Sequence, residues 1–406
     1  MSRERGGGAP RLMKIGEEHV PELKGLQSTL MLAGAVGAAV CAIGLVMNPV
    51  QFVRSFLPVY MWMLSVTLGS LGLVMVHQVS GGAWGVVIRR ILGAATRTLP
   101  LLTLLFMPIA LGLHSLYPWA DAAHVADDPI LQWKQPYLNV PFFLARAAVY
   151  FAVWNVIAYL LNKWSLEQDE TGDPTIPRKM QVLSAGGLLA YGLTITFASF
   201  DWLMSLEPHW FSTIYGVLIM GGQALSAIAF AIVVLAWLVR RAPFNELITA
   251  NHFHDLGNLM MGFTMLWTYF GFSQYLIIWA ANIPEETEWY LHRTGHGWQY
   301  MALALVVFHF AVPFMVLLHR AIKRNAAMVS KVAALILAMR FVDLYWLSAP
   351  AFAHGGEPHI HWLDVALPMS LGAIWLGYFV YQLRGRALLP LYDPEFREAL
   401  KHVRIA

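Results

Sequence analysis

Asp201, Glu207 and His209 stand within nine positions of one another in the stretch FASFDWLMSLEPHWFSTIYG (197–216), which lies between two long apolar runs. Trp202, Trp210, Phe211 and Tyr215 surround them, and Pro208 breaks the chain between the runs. An ionised side chain in oily surroundings costs free energy unless it has a partner or reaches water. A carboxyl group held there beside a cation can store or pass a proton, because burial and the neighbouring charge pull its pKa in opposite directions. The segment AMRFVDLYWLSAPAF (338–352) poses the same problem with Arg340 and Asp343. Three residues apart on a helix, they share one face and can neutralise each other. Arg340 follows Lys331 by nine positions, about 14 Å along a helix. This pair reads either as a structural tie or as an element of a proton relay.

Other polar residues are weaker candidates. Arg146 can reach Asp201 or Glu207, or snorkel outward. His309 falls near mid-depth of an apolar run, whereas His77 and His114 fall near opposite ends of theirs. A b-type haem needs facing histidines at matched depth, so no haem is expected in this chain. The pairs His252/His254 (followed by Asp255) and His359/His361 fall at or beyond helix ends. Without a third and fourth ligand they read as solvated clusters and not as a metal centre, although His252, His254 and Asp255 stand where a proton-uptake antenna would lie. Thr264, Trp267, Tyr269, Ser273, Gln274 and Tyr275 read as glue between helices, and Gly34 and Gly37 as points of close helix packing.

The elements that must position these residues follow from composition. The chain has 406 residues, 58% hydrophobic and only 13% charged, about half the charged share of a soluble domain. That makes it an all-α, multi-pass integral membrane protein. Ten apolar runs are long enough to span a bilayer as helices, near 26–48, 55–79, 98–117, 141–163, 180–204, 210–240, 256–281, 298–323, 326–349 and 362–385. The chain then divides into an N-terminal tail (1–25), the ten-helix membrane domain (26–385) and a C-terminal tail (386–406). With alternating spans, 22 of the 27 Lys and Arg fall on one side and 3 (Arg54, Lys134, Arg293) on the other, while Arg146 and Arg340 lie inside helices. The basic side is the cytoplasmic one, so both termini are expected there. Ser80 to Arg97 reads as a basic amphipathic segment lying on that face. The lone cysteine, Cys41, excludes a disulfide framework and Cys-based zinc, iron–sulfur or haem-attachment motifs. Basic residues placed by topology leave no nucleic-acid signal.

With these residues in view, the stretch 197–216 resembles the signature of the F subunit of alternative complex III, within the polysulfide-reductase-type membrane subunits. HDLGNLMMGFTMLWTYFGFSQYLIIWAANIPEET (254–287), RFVDLYWLSAPAF (340–352) and the tail LPLYDPEFREAL agree with it. The resemblance covers most of the chain from the fifth helix onward. It implies two four-helix bundles (helices 2–5 and 6–9) flanked by helices 1 and 10. It also implies a place in a quinol:electron-acceptor oxidoreductase of a respiratory or photosynthetic chain in a bacterial cytoplasmic (inner) membrane. The implied partners are a homologous C-type membrane subunit, an iron–sulfur protein, c-type cytochrome subunits that carry the haem c, and membrane lipid. This chain would hold no cofactor of its own beyond lipid. Two departures matter. Ile195 and Phe211 stand where the C-type pattern has His, so a quinol site that needs a His to take a hydroxyl proton is not expected here. Asn258 stands where family members often carry Lys.

The leading expectation is therefore a scaffold subunit with no catalytic residues and no metal. Its proton path would run from Asp255 and His254 through Arg340 and Asp343, with His309 nearby, to Asp201, Glu207, His209 and Arg146. A rival reading has the chain bind and oxidise quinol itself at Asp201, His209 and Tyr215. A third makes it a stand-alone transporter, as the ten helices and the interrupted, Pro-broken corner between the fifth and sixth suggest.

Overall fold

Proline and asparagine mark where the helices begin. Pro49 opens one helix, with the Asn48 side chain accepting the Gln51 N–H at 3.0 Å. Asn139 caps another through the Phe142 N–H at 3.0 Å, and Asn325 caps a third through Ala327 and Met328. Each cap occupies backbone donors that a helix start leaves open. In lipid, backbone groups must be satisfied within the segment itself, which is why apolar runs of this length become helices.

The computed structural model describes residues 20, 22–241, 244–353, 356–384 and 388, and every regular element among them is helical. The long elements are α1 (Glu22–Met47), α2 (Pro49–Ser80), α3 (Arg89–Leu111), α4 (Val140–Thr171), α5 (Ile176–Trp202), α6 (Tyr215–Leu238), α7 (Ala250–Ala281), α8 (Trp298–Leu318), α9 (Ala326–Ser348) and α10 (Leu363–Arg384). Eight of them, all but α7 and α9, are long and apolar enough to cross a membrane. α7 is diluted by Thr, Ser, Gln and aromatic residues, and α9 carries Lys331, Arg340 and Asp343. Those two stand where the seventh and ninth runs were expected. Residues 1–19 and 389–406, which fall in the expected tails, lie outside the described residues.

α2 and α6 form the buried centre, while α1 is mostly exposed along its apolar surface. Gly69 allows α2 and α6 to approach so closely that a Cβ there would overlap the Gln223 carbonyl. Around this axis α2 packs on α3 and α5, and α5 on α4; α6 packs on α7 and α9, and α8 on both of these. α1 lies along α10, with Gly34 and Gly37 against Ile374 and Ser370, the close packing their sequence suggested.

Polar contacts tie the helix ends into two faces. On one, Lys134 donates to the Pro208 carbonyl at 2.5 Å, and Trp346 to the Arg293 carbonyl at 3.3 Å. On the other, Arg90 pairs with Asp169, Arg97 with Asn162 and Gln382, and Arg324 with Asn251. Arg90, Arg97 and Arg324 thus each tie together helix ends. The third span starts earlier than expected. Arg89 and Arg90 are buried at the head of α3 instead of lying on the surface, since Ser165 and Asp169 of α4 supply acceptors for Arg90.

Candidate functional site

α4 and α5 bring Arg146 and Asp201 together. Arg146 Nε and Nη2 donate to the two Asp201 oxygens at 2.9 and 2.8 Å, and Tyr150 OH donates to Oδ2 at 2.8 Å. The third guanidinium nitrogen reaches the Tyr137 carbonyl at 2.9 Å, and the guanidinium lies over the Tyr137 and Phe142 rings, 3.9 and 4.3 Å from their centroids. Asp201 is fully buried. Of the partners open to Arg146, Asp201 is the one it meets. A two-toothed guanidinium–carboxylate contact with a hydroxyl on the same carboxylate leaves little capacity for a substrate, so this group works as a clamp between α4 and α5.

The residues that follow Asp201 turn elsewhere. Glu207 meets Arg293 (Nη2 to Oε2, 2.5 Å) and His292 (Nδ1 to Oε1, 3.1 Å), both on the helix Pro284–Thr294. His209 points to the exposed surface and pairs with Asp128 at 2.6 Å. The Asp128 carboxylate is worked against by burial, but the backbone N–H groups of Ile130 and Leu131 and the His209 ring outweigh this and hold it below the ordinary carboxylate range. Tyr215 is buried against Trp210, within electrostatic reach of Arg293, Glu207, Asp343 and Arg340. Asp201, His209 and Tyr215 therefore occupy three environments with different partners.

A second polar group lies among α6, α7, α8 and α9. Arg340 and Asp343 pair with each other, both buried. Gly222 of α6 faces the guanidinium, and a Cβ there would overlap it. His309 of α8 is fully buried in a π-helical stretch, Leu305–Ala311, edge-on to Trp267 of α7 at 4.2 Å. A π turn widens a helix by one residue and occurs often at functional sites. Neither His309 nitrogen has a hydrogen-bond partner among the described residues, and Arg340 Nε and Nη2 also lack one. The Trp267 indole N–H faces Asp343 outside ordinary hydrogen-bond geometry. Buried donors left open cost about 1–3 kcal/mol each, so this group calls for water or another polar guest.

Two further sets flank it. Arg293 Nη2 also donates to the Leu347 carbonyl at 3.0 Å. That places the Glu207 set one helical turn, about 6 Å, beyond Asp343. At the basic face, Lys323 Nζ donates to Asn258 Oδ1 at 2.6 Å, and Asn258 meets His254 at 3.4 Å, next to Asp255. A buried Lys side chain thus reaches position 258 from the segment Arg320–Lys323. Nine residues of α7, about 14 Å, separate Asn258 from Trp267. The two His pairs are partly spent on caps: His252 Nδ1 accepts the Thr249 N–H at 3.0 Å, and His361 Nδ1 accepts the Leu363 N–H at 3.3 Å.

Sequence reasoning missed Tyr150, His292, Arg293 and Lys323 as partners. Arg293 was the one cation in its loop and the signal that could have matched it to Glu207. No protein-family model matches the chain, and no curated protein does.

Proposed function

We propose that the chain is a membrane subunit of a quinol:electron-acceptor oxidoreductase of the alternative complex III type, in a bacterial cytoplasmic membrane. In this reading it has ten spans in two four-helix bundles (α2–α5 and α6–α9), flanked by α1 and α10, with both ends cytoplasmic. It carries no redox centre and stands beside a C-type membrane subunit, an iron–sulfur protein and c-type cytochromes. The observation that carries the reading is that Asp201, Glu207, Arg340 and Asp343, all in the motifs behind the resemblance, each meet an opposite charge inside the helical packing: Asp201 with Arg146, Glu207 with Arg293, Arg340 with Asp343.

The geometry divides their labour. The Asp201 clamp fastens α4 to α5. The proton path runs through the other bundle, from Asp255, His254, Asn258 and Lys323 to His309, Arg340 and Asp343, and then past Tyr215 to Glu207 and Arg293. Its outer step is one helical turn. Its inner step of about 14 Å needs a file of about four waters at hydrogen-bond spacing. Quinol oxidation at Asp201, His209 and Tyr215 gains no support from their separate environments.

The test is to tag the chain, solubilise its membrane mildly and scan the purified material for c-type haem absorbance and iron–sulfur signals. Stoichiometric haem and cluster with the tag is the expected result. A homogeneous preparation free of redox partners would leave a stand-alone protein, as the transporter reading holds.

A further inference from the structure

A cavity of about 420 Å³ opens between α7 and α8, beside the Arg340–Asp343 pair. Trp267, Tyr290, Trp346 and Phe310 contribute to its walls, and Phe272 and Val306 at its edge are exposed on helix faces that are apolar. The opening therefore faces the bilayer side of the helices, at the end where Tyr290 and Thr294 of the helix Pro284–Thr294 also line it. Its volume falls in the ordinary range for small-molecule sites, about 300–1,000 Å³.

The lining limits what can enter. Asp343 is the one charged group among the described lining residues, and Arg340 neutralises it. No cation among the described residues lines the space, so a phosphate head would find no counter-charge from them. Aromatic rings offer flat faces, which suit a planar ring at close range. Two polar groups have capacity for a guest. The Trp267 indole N–H is buried without a hydrogen bond of ordinary geometry. The Tyr290 hydroxyl accepts from Gln274 Nε2 at 3.2 Å, which leaves its proton to donate; Gln274 is itself fixed by Ser212 at 3.0 Å. These are donors for a ring that carries carbonyl or hydroxyl oxygens.

We propose that this cavity is a lateral site for the head of an isoprenoid quinone or quinol, which binds there without electron transfer to this chain. The preference for a neutral, ring-headed lipid follows from the lining alone. The choice of quinone within that class rests on the function proposed above.

The experiment uses the full chain in phosphatidylcholine nanodiscs, labelled with an azido-quinone and mapped by peptide. Label is expected on peptides that contain Thr268–Tyr275 and Leu305–Phe310, and excess decylubiquinone should displace it. Gly271 lines the cavity with room for a side chain. Gly271→Trp should fill the ring space and weaken quinone binding about tenfold, equal to about 1.4 kcal/mol. Val306→Trp at the exposed mouth should do the same, while Gly262→Trp, which meets open space elsewhere on α7, should not. Unchanged melting of all three variants keeps the comparison clean. Label spread evenly over the lipid-facing helices, label that decylubiquinone leaves in place, or full labelling of both cavity variants would overturn the site. A photoactive phosphatidylcholine that takes the same peptides and resists decylubiquinone would overturn it too, by identifying a phospholipid groove. Haem copurification is scored separately. A chain that keeps its redox partners but shows no competed label loses the site and keeps the function, and the reverse outcome does the opposite.

Discussion

Replacing Arg340 by Met removes a fully buried guanidinium that packs against Gly222. Asp343 then stays behind without its counter-charge. Breaking one side of a buried pair costs about 3–5 kcal/mol, whereas replacing both partners with apolar residues of similar volume is close to neutral. Arg340→Met should therefore shift the unfolding equilibrium roughly 100- to 4,000-fold. Arg340→Met/Asp343→Leu should return to within about 1 kcal/mol of the unmodified protein. Gly222→Ala adds an independent check, because its Cβ would overlap the guanidinium. It should cost about 1–3 kcal/mol alone, through overpacking, and much less in the Arg340→Met background. The assay is equilibrium unfolding in mixed micelles of rising SDS content, read by the fluorescence of the 16 tryptophans. A cost under about 1 kcal/mol for Arg340→Met, with no coupling to Gly222 or Asp343, is what a solvated pair gives. It would refute the enclosed arrangement.

In the complex proposed above, Asp343→Asn should lower the protons moved per electron; an unchanged ratio at normal turnover would confine Asp343 to a structural role. Tyr150→Phe removes one donor from Asp201 and should destabilise the protein by about 1.5–3 kcal/mol, the range for a hydrogen bond to a charged group, as read in the same SDS titration. Lys323→Met should disconnect the basic face from Asn258, slow proton uptake and leave the Asp201 clamp untouched, a split visible by comparing turnover with melting. The Asp128 carboxylate is held below its ordinary value of about 3.9. Its contribution to stability is thus fully present above that pH and is lost as pH falls through the lower folded value. Protease cleavage in segment 118–139 should rise only in that acidic window, and His209→Ala should raise its onset.

Much of this architecture was legible in the sequence because it rests on periodicity and charge. Runs of about twenty apolar residues marked the helices, and the clustering of Lys and Arg placed their ends on common faces. Arg340 and Asp343 were paired by spacing alone, and Gly34 and Gly37 by size. Pairings made through loops were harder to read. Glu207 finds Arg293 across 86 positions, and Lys323 reaches Asn258 across 65. Neither separation follows from a repeat. His209, adjacent to the buried Pro208, looked equivalent to Asp201 but leaves the helix end for Asp128 on the surface. The head of α3 was misplaced because Arg89 and Arg90 read as water-seeking, whereas acceptors on α4 meet Arg90 in the buried position. The π-helical stretch around His309 changes no residue type and leaves no compositional mark.

A side-chain-resolution electron cryomicroscopy map of the protein in lipid nanodiscs tests the enclosed polar interior most directly. The expected map shows the Arg340 guanidinium buried against Gly222 and paired with Asp343, with ordered water at the open His309 and Arg340 nitrogens. Acyl-chain density lying directly against the Arg340 guanidinium would contradict it.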